Sequence, residues 1–89
     1  MPVYVDPLLT CIPSSNWKWN KSCHLFADTV EELHVFAKRI GLKRAWFQDK
    51  NKLKHYDLNE IRRIIAVKYG AIQVSKEEAV MIWNRLKES

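Results

Sequence analysis

The chain has 89 residues, of which 47% are hydrophobic and 28% charged, with only two glycines and three prolines. This length supports one core, and the balance of residue types excludes a disordered chain, so we predict a single domain over residues 1–89. Two cysteines are too few for the disulfide framework of a small secreted protein. Without a targeting segment or an apolar run of about 18 residues, we expect a cytoplasmic protein with no membrane partner.

The net charge of +5 lies in the second half of the sequence. Residues 42–89 carry eleven basic and six acidic side chains, whereas residues 1–41 carry four of each. Such a positive field raises the local concentration of anionic partners, from nucleotides and phosphorylated metabolites to nucleic acids. A solvated lysine-rich surface produces the same bias, so the charge alone does not identify a partner.

The first third of the sequence predicts two strands separated by a long loop. Residues 2–6 (PVYVD) are β-branched and aromatic and are followed by Pro7, which is typical of a buried strand ending in a turn. Residues 8–21 contain a proline and several polar residues around two tryptophans, and they predict a loop. Residues 22–28 (SCHLFAD) have the composition of a second strand.

Three helices are predicted from capping signals and apolar spacing. Thr29 and Ser75 are each followed three residues later by a glutamate, and these capping boxes begin the first and third helices. The second helix begins at Asp57 or Asn59. The two glycines of the chain end the first and second helices, because glycine adopts the left-handed conformation of a helix terminus without strain.

Three further short runs complete the predicted fold. Residues 44–48 (RAWFQ) predict a short strand, residues 53–57 (LKHYD) a strand or an extended loop, and residues 71–74 (AIQV) a last buried strand. Strands that alternate with helices are typical of an α/β fold. We therefore predict a small three- to five-stranded sheet, mostly parallel or mixed, with three helices.

Polar residues close the predicted strands or directly precede a helix. In an open parallel sheet, ligands bind beyond the carboxyl ends of the strands, so we expect these residues to line one rim. They are Asp6, Asp28, Gln48, His55, Tyr56, Asp57 and Ser75. For Asp28 and Asp57, helix capping is an alternative role. For His24 and His55, the alternative is a hydrogen-bonded histidine of the core.

Aromatic and basic residues near this rim suggest the ligand. Trp46 and Tyr56 offer rings for stacking, and Arg62 and Arg63 offer charge for a phosphate. The leading hypothesis is therefore a non-enzymatic binding protein for an anionic, nucleotide-like or phosphorylated small molecule, without a cofactor. Trp83 and Phe47 are expected to fill the core instead.

Two other functions remain open from the residues. A metal-dependent phosphodiesterase or nuclease would use histidines and carboxylates drawn from His24, His55, Asp6, Asp28 and Asp57, although none of the strong catalytic or metal-binding motifs is present. A nucleic-acid-binding protein would use the Lys38 to Lys54 stretch, where seven basic residues accompany one acidic residue, but no nucleic-acid-binding motif accompanies it. Both are alternatives to the small-molecule hypothesis, which remains the leading one.

The predicted loop 8–21 carries two tryptophans, Trp17 and Trp19, beside Lys18 and Lys21. One interpretation is a lid over a bound ligand, and the other is a self-association surface of a homo-oligomer. Both predict that this loop takes part in binding.

Five short blocks follow one another along the sequence: YVD at 4–6, HLFADT at 24–29, WFQ at 46–48, HYD at 55–57 and RR-x3-V-x2-GA at 62–71. Together they resemble the domain-of-unknown-function 4031 family of small bacterial and phage proteins. The resemblance covers almost the whole chain and implies a compact stand-alone domain without an assigned reaction. It points to Asp6, His24, Asp28, Trp46, Gln48, His55, Tyr56, Asp57 and Arg62. By analogy with small phage proteins, the expected role is sequestration of a nucleotide signal of host immunity.

Overall fold

A computed structural model describes residues 2–15, 17–49 and 54–88, with residues 87 and 88 described by their backbone alone. The strands are β1 (Val3–Val5), β2 (Leu9–Thr10), β3 (Lys21–Ala27), β4 (Tyr56–Leu58) and β5 (Ile72–Gln73), and the helices are α1 (Val30–Arg39), α2 (Glu60–Lys68) and α3 (Lys76–Glu88). A 3₁₀ helix spans Arg44–Trp46. Within the described ranges, no helix combines the length and the apolar character that crossing a bilayer requires.

The five strands form one mixed sheet in which β3 has three partners. Strands β1, β2 and β4 all pair with β3 in antiparallel orientation, and β1 pairs with β5 in parallel orientation. The predicted α/β class with three helices and a small mixed sheet is confirmed. Since most pairs are antiparallel, the carboxyl ends of the strands do not meet at one edge, and the site is assembled differently from a parallel-sheet rim.

The two faces of the sheet are covered by different helices because side chains alternate along each strand. On one face, Leu25 of β3 belongs to the larger core, together with residues of α1 and α2 such as Leu33 and Ala66. On the other face, Phe26 packs with Ala79 and Trp83 of α3. His24 and Phe26 are two residues apart in β3, so His24 also lies on the face that α3 covers.

The predicted helix boundaries are confirmed by their caps. Thr29 accepts the backbone N–H of Glu32 at the start of α1, and Ser75 exchanges two hydrogen bonds with Glu78 at the start of α3. For α2 the cap is Asn59, whose side chain accepts the backbone N–H of residue 62 at 2.8 Å. The two glycines follow α1 and α2 with φ of 85° and 108°.

Three local predictions are wrong. The last strand, β5, is not buried, since both of its residues are exposed. Residues 44–48 do not form a strand, because Trp46 and Phe47 donate their backbone N–H groups to residues three positions earlier, the pattern of a 3₁₀ turn. Gln48 alone pairs with His55 as an isolated bridge. The loop predicted at 8–21 contains β2 and the first residue of β3, which pair with each other.

Candidate functional site

Asp6 and His24 form a closely bonded pair between two strands. Asp6 follows β1 and is only 6% exposed. Its Oδ1 accepts the backbone N–H of His24 at 2.6 Å, and its Oδ2 lies 2.7 Å from Nδ1 of the same histidine. The carboxylate therefore contacts both the backbone and the ring of His24, and it places the proton of the neutral imidazole on Nδ1, so that Nε2 carries the lone pair.

A second carboxylate, Asp57, lies beside the same histidine. Asp57 is the cross-strand partner of His24 in the register of β3 and β4, which puts the two side chains on one face. His55 adds a second imidazole, with Nε2 3.3 Å from Asp57 Oδ1 and its ring centre 4.8 Å from that of His24. Gln48 donates its amide to the other oxygen of Asp57. We call His24, His55 and Asp57 the histidine–carboxylate cluster.

The charges in this cluster shift the pKa values of its members. The hydrogen bond to Asp6 raises the pKa of His24 against the opposing effect of burial, and the charges of Asp6 and Asp57 add to the increase. Burial alone would raise the pKa of Asp57, but hydrogen bonds from His55 and Gln48 and the nearby His24 outweigh it and lower that pKa. Asp57 is therefore an ionised carboxylate at neutral pH.

A cleft of about 700 Å³ adjoins the cluster. Its wall comes from the loop between β2 and β3, from the 3₁₀ helix and the residues after it, from β4 and from the first turn of α2. The lining residues are Ser15, Trp17, Lys18, Trp19, Ala45, Trp46, Phe47, Gln48, Asp49, Asp57 and Arg62. Asp57 belongs both to the cleft and to the histidine–carboxylate cluster, so the two features are continuous.

Cations lie against the indole rings of this cleft. The guanidinium carbon of Arg62 is 4.9 Å from the ring centre of Trp46 and 5.6 Å from that of Trp19. Lys18 lies over Trp19 at 5.1 Å, and Lys43 lies over Trp46 at 5.7 Å. These distances are within the range of cation–π attraction, which holds positive charge at the surface of the aromatic wall.

Several predicted site residues come together here, and the others lie elsewhere. His24, His55, Asp57, Asp6 and Gln48 form the cluster and its immediate contacts, while Trp46, Gln48, Asp57 and Arg62 line the cleft. Asp28 instead accepts hydrogen bonds from Tyr4 at 3.3 Å and from Arg85 at 3.1 Å.

Tyr56 and Arg63 have structural partners. Tyr56 is 1% exposed, and its hydroxyl lies 2.8 Å from Nδ1 of the partly buried His34. Arg63 donates Nε to the backbone oxygen of Asp6 at 3.0 Å and contacts Gln73, so that it joins the ends of β1 and β5. Neither side chain is among the residues that line the cleft.

The basic stretch from Lys38 to Lys54 includes residues 50–53, which lie outside the described residues. Its described cations lie at the end of α1, around the 3₁₀ helix and before β4. Nucleic-acid binding by this stretch stays a prediction.

Sequence reasoning missed the partnership of His24 with both Asp6 and Asp57, and the place of Asp49 in the cleft. A signal for the first was present. His24 alternates with the apolar Cys23 and Leu25, so a histidine on the opposite face of a buried strand needs polar partners there. Which carboxylates supply them depends on strand pairing.

Fold and site together define a small mixed α/β domain in which an aromatic cleft with both basic and acidic residues adjoins a histidine–carboxylate cluster. The family model described as "Protein of unknown function (DUF4031)" matches residues 3–86. The chain belongs to this family, as its five sequence blocks predicted. A search of curated proteins and a search of solved structures each found no match to the chain.

Proposed function

We propose that the protein is a non-enzymatic binding protein that holds a nucleotide-like, phosphorylated small molecule in its cleft. The observation that carries this proposal is the contact of the Arg62 guanidinium with two indole rings, whose centres lie 4.9 Å (Trp46) and 5.6 Å (Trp19) from its central carbon. A volume of about 700 Å³ lies within the range of small-molecule sites. The cleft therefore combines the size and the rings that a nucleotide requires with a guanidinium that suits its phosphate.

Arg62 is suited to a phosphate because of how a guanidinium bonds. A guanidinium that stacks on an aromatic ring uses its flat face, and its N–H donors remain in the plane for a bidentate contact with phosphate oxygens. Among the described residues, no acceptor is bonded to the side chain of Arg62; its backbone N–H donates to Oδ1 of Asn59, the N-cap of α2. The donors of this guanidinium are thus available to a ligand.

The indole rings suit a planar base. Trp46 is 40% exposed, and stacking of a base on such a ring contributes about 1–3 kcal/mol. Lys18 and Lys43, which lie over the rings, are exposed and have long flexible side chains. They can exchange a ring contact for a phosphate contact when a base takes their place.

The remaining wall of the cleft is polar and partly acidic. Gln48, Asp49 and Asp57 present carbonyl and carboxylate oxygens, which accept hydrogen bonds and repel a phosphate. They suit the hydroxyl groups of a sugar or the N–H groups of a base. A ligand that has an anionic part and a hydrogen-bond-donating part, as a nucleotide does, matches this cleft better than inorganic phosphate alone.

Isothermal titration calorimetry in the presence of a chelator tests the proposal. The panel comprises nucleoside mono-, di- and triphosphates and cyclic mono- and dinucleotides, with a nucleoside and inorganic phosphate as references. We expect at least one nucleotide to bind more tightly than both references. Absence of binding by every nucleotide at millimolar concentration would overturn the proposal.

Two variants of equal charge test the location. Arg62→Ala should weaken nucleotide binding by at least tenfold, since it removes a charge-assisted contact. Lys68→Ala removes a positive charge from the exposed end of α2, away from the cleft lining, and should leave the affinity nearly unchanged. Equal losses in the two variants would indicate a general effect of charge and contradict a site at Arg62.

Recovery of the nucleotide after incubation distinguishes binding from turnover. Chromatography should return it unchanged, as sequestration of a nucleotide signal in the cytoplasm requires. Products of phosphoester hydrolysis would instead support the metal-dependent alternative, and the assay is therefore repeated without the chelator.

A further inference from the structure

We propose that His24, His55 and Asp57 bind one divalent transition-metal ion such as Zn²⁺, with Asp6 as the residue that orients His24. Nitrogen or oxygen ligand atoms of the three residues all lie within 4.8 Å of one another. This proposal does not depend on nucleotide binding, because it rests on the cluster and not on the rings of the cleft.

The spacing of the cluster is close to that of a metal site. Zinc bonds to imidazole and carboxylate are about 2.0–2.2 Å long, which places tetrahedral ligand atoms about 3.3 Å apart. His55 Nε2 and Asp57 Oδ1 already lie at 3.3 Å, in direct contact. The other ligand atoms of the cluster are separated by at most 4.8 Å. Small rotations about side-chain bonds would shorten these distances to the spacing that a bound metal needs.

The ligand residues are oriented by hydrogen bonds of the same type as in known metal sites. A histidine ligand usually donates its second ring N–H to a carboxylate or a carbonyl, which fixes its tautomer and orientation. Asp6 Oδ2 lies 2.7 Å from His24 Nδ1 and provides this contact. Gln48 in turn donates to one oxygen of Asp57 and orients that carboxylate. Both ligands are therefore held before a metal arrives.

The donor set selects the kind of metal. Two imidazoles favour Zn²⁺, Fe²⁺, Ni²⁺ or Cu²⁺, whereas Mg²⁺ and Ca²⁺ prefer oxygen ligands alone. Three protein ligands leave a coordination position for water or another molecule, as in catalytic zinc sites and unlike closed structural ones. The His24 side chain is 35% exposed, so solvent reaches the cluster. Asp57 also lines the cleft, and that position is therefore next to it.

Titration of the wild-type protein with metal ions alone is the first test. After removal of metals with a chelator and then of the chelator, calorimetry with Zn²⁺ and with Co²⁺ should show one ion per chain, and Mg²⁺ should bind at least a hundredfold more weakly. In NMR spectra, the ring signals of His24 and His55 should shift on addition of Zn²⁺. Those of His34, which is bonded to Tyr56 in the core, should not.

Substitutions test the individual ligands. His24→Gln and His55→Gln should each reduce Zn²⁺ affinity by at least a hundredfold, and His34→Gln is the matched control because it removes the third histidine of the chain. Asp6→Asn should reduce affinity by about 10–100-fold without abolishing binding, since the residue acts through His24. Asp28→Asn, which removes a carboxylate bonded to Tyr4 and Arg85, should have little effect.

Failure of this proposal differs from failure of the nucleotide proposal. Arg62→Ala should leave Zn²⁺ affinity unchanged, because its guanidinium contacts the indole rings and not the cluster. Absence of Zn²⁺ and Co²⁺ binding at micromolar concentration would overturn the metal site. So would equal ring shifts of all three histidines in the wild type, a result that does not depend on the folding of any variant.

Discussion

The carboxylate of Asp6 bonds both the backbone and the ring of His24, at 2.6 Å from the amide nitrogen and 2.7 Å from Nδ1. This contact lies beside the paired residues Val5 and Leu25, where β1 and β3 run antiparallel. The orientation of the imidazole is therefore set by the pairing of two strands. A substitution at Asp6 should therefore change the orientation and the pKa of His24 first.

In metal-free protein, His24 should titrate above the ordinary histidine pKa of 6.5, mainly because of the hydrogen bond to Asp6. Asp6→Asn should lower this pKa, as measured by NMR titration with a chelator present. His34 serves as an internal reference, since burial and the nearby Arg44 lower its pKa. Titration of His24 at or below 6.5 in the wild type would contradict the prediction.

The raised pKa of His24 also makes stability depend on pH. Because the folded state holds the proton more tightly, the contribution is fully present below pH 6.5 and is lost as pH rises through the folded-state pKa. The difference in melting temperature between the wild type and Asp6→Asn should accordingly be larger below pH 6.5 than above the pKa of the folded protein. A constant difference across this range would contradict the assignment.

Tyr56→Phe should destabilise the protein by about 1–3 kcal/mol, although the hydroxyl makes no contribution to the proposed cleft. The substitution removes the partner of His34 Nδ1, and Nε2 of that ring is already buried without a partner among the described residues. Urea denaturation measures the loss. Tyr69→Phe, at a tyrosine that is 47% exposed, is the matched control and should change stability little. Equal effects of the two substitutions would argue against the buried pair.

The two cysteines should differ in reactivity. Cys23 is 2% exposed, and burial raises the pKa of its thiol to about 12. Cys11 is partly exposed, and its sulfur lies 3.6 Å from the backbone oxygen of Trp19. Alkylation at mildly alkaline pH followed by mass spectrometry should label Cys11 alone in the native protein and both residues in urea. Rapid native labelling of Cys23 would contradict its burial.

Leu25→Ala should cost about 2–5 kcal/mol of unfolding free energy, because Leu25 is fully buried in β3 and its removal leaves a cavity. Leu9→Ala removes the same atoms from a side chain that is 54% exposed, and its effect should stay within about 0.5 kcal/mol. Thermal or urea denaturation of both variants measures the difference. Similar losses at the two positions would mean that β3 is not the centre of the core.

Helix boundaries could be predicted because their signals are local. The hydrogen bonds between Ser75 and Glu78 connect residues three positions apart, so the sequence pattern and the structure describe the same contact. Local hydrogen bonds also explain why the strand predicted at 44–48 is wrong. An aromatic run favours a strand, but hydrogen bonds between neighbouring residues turned the chain into a 3₁₀ helix there.

The sequence by itself determined the family, the three helices with their caps, and the residue types from which a site is built. Tertiary structure alone decided that His24 lies between Asp6 and Asp57, that Arg62 lies against Trp19, and that Tyr56 belongs to the core. The reason is that strand partners and register depend on contacts distant in sequence. A shift of one residue in the pairing of β3 would turn His24 to the opposite face of the sheet and away from the cluster.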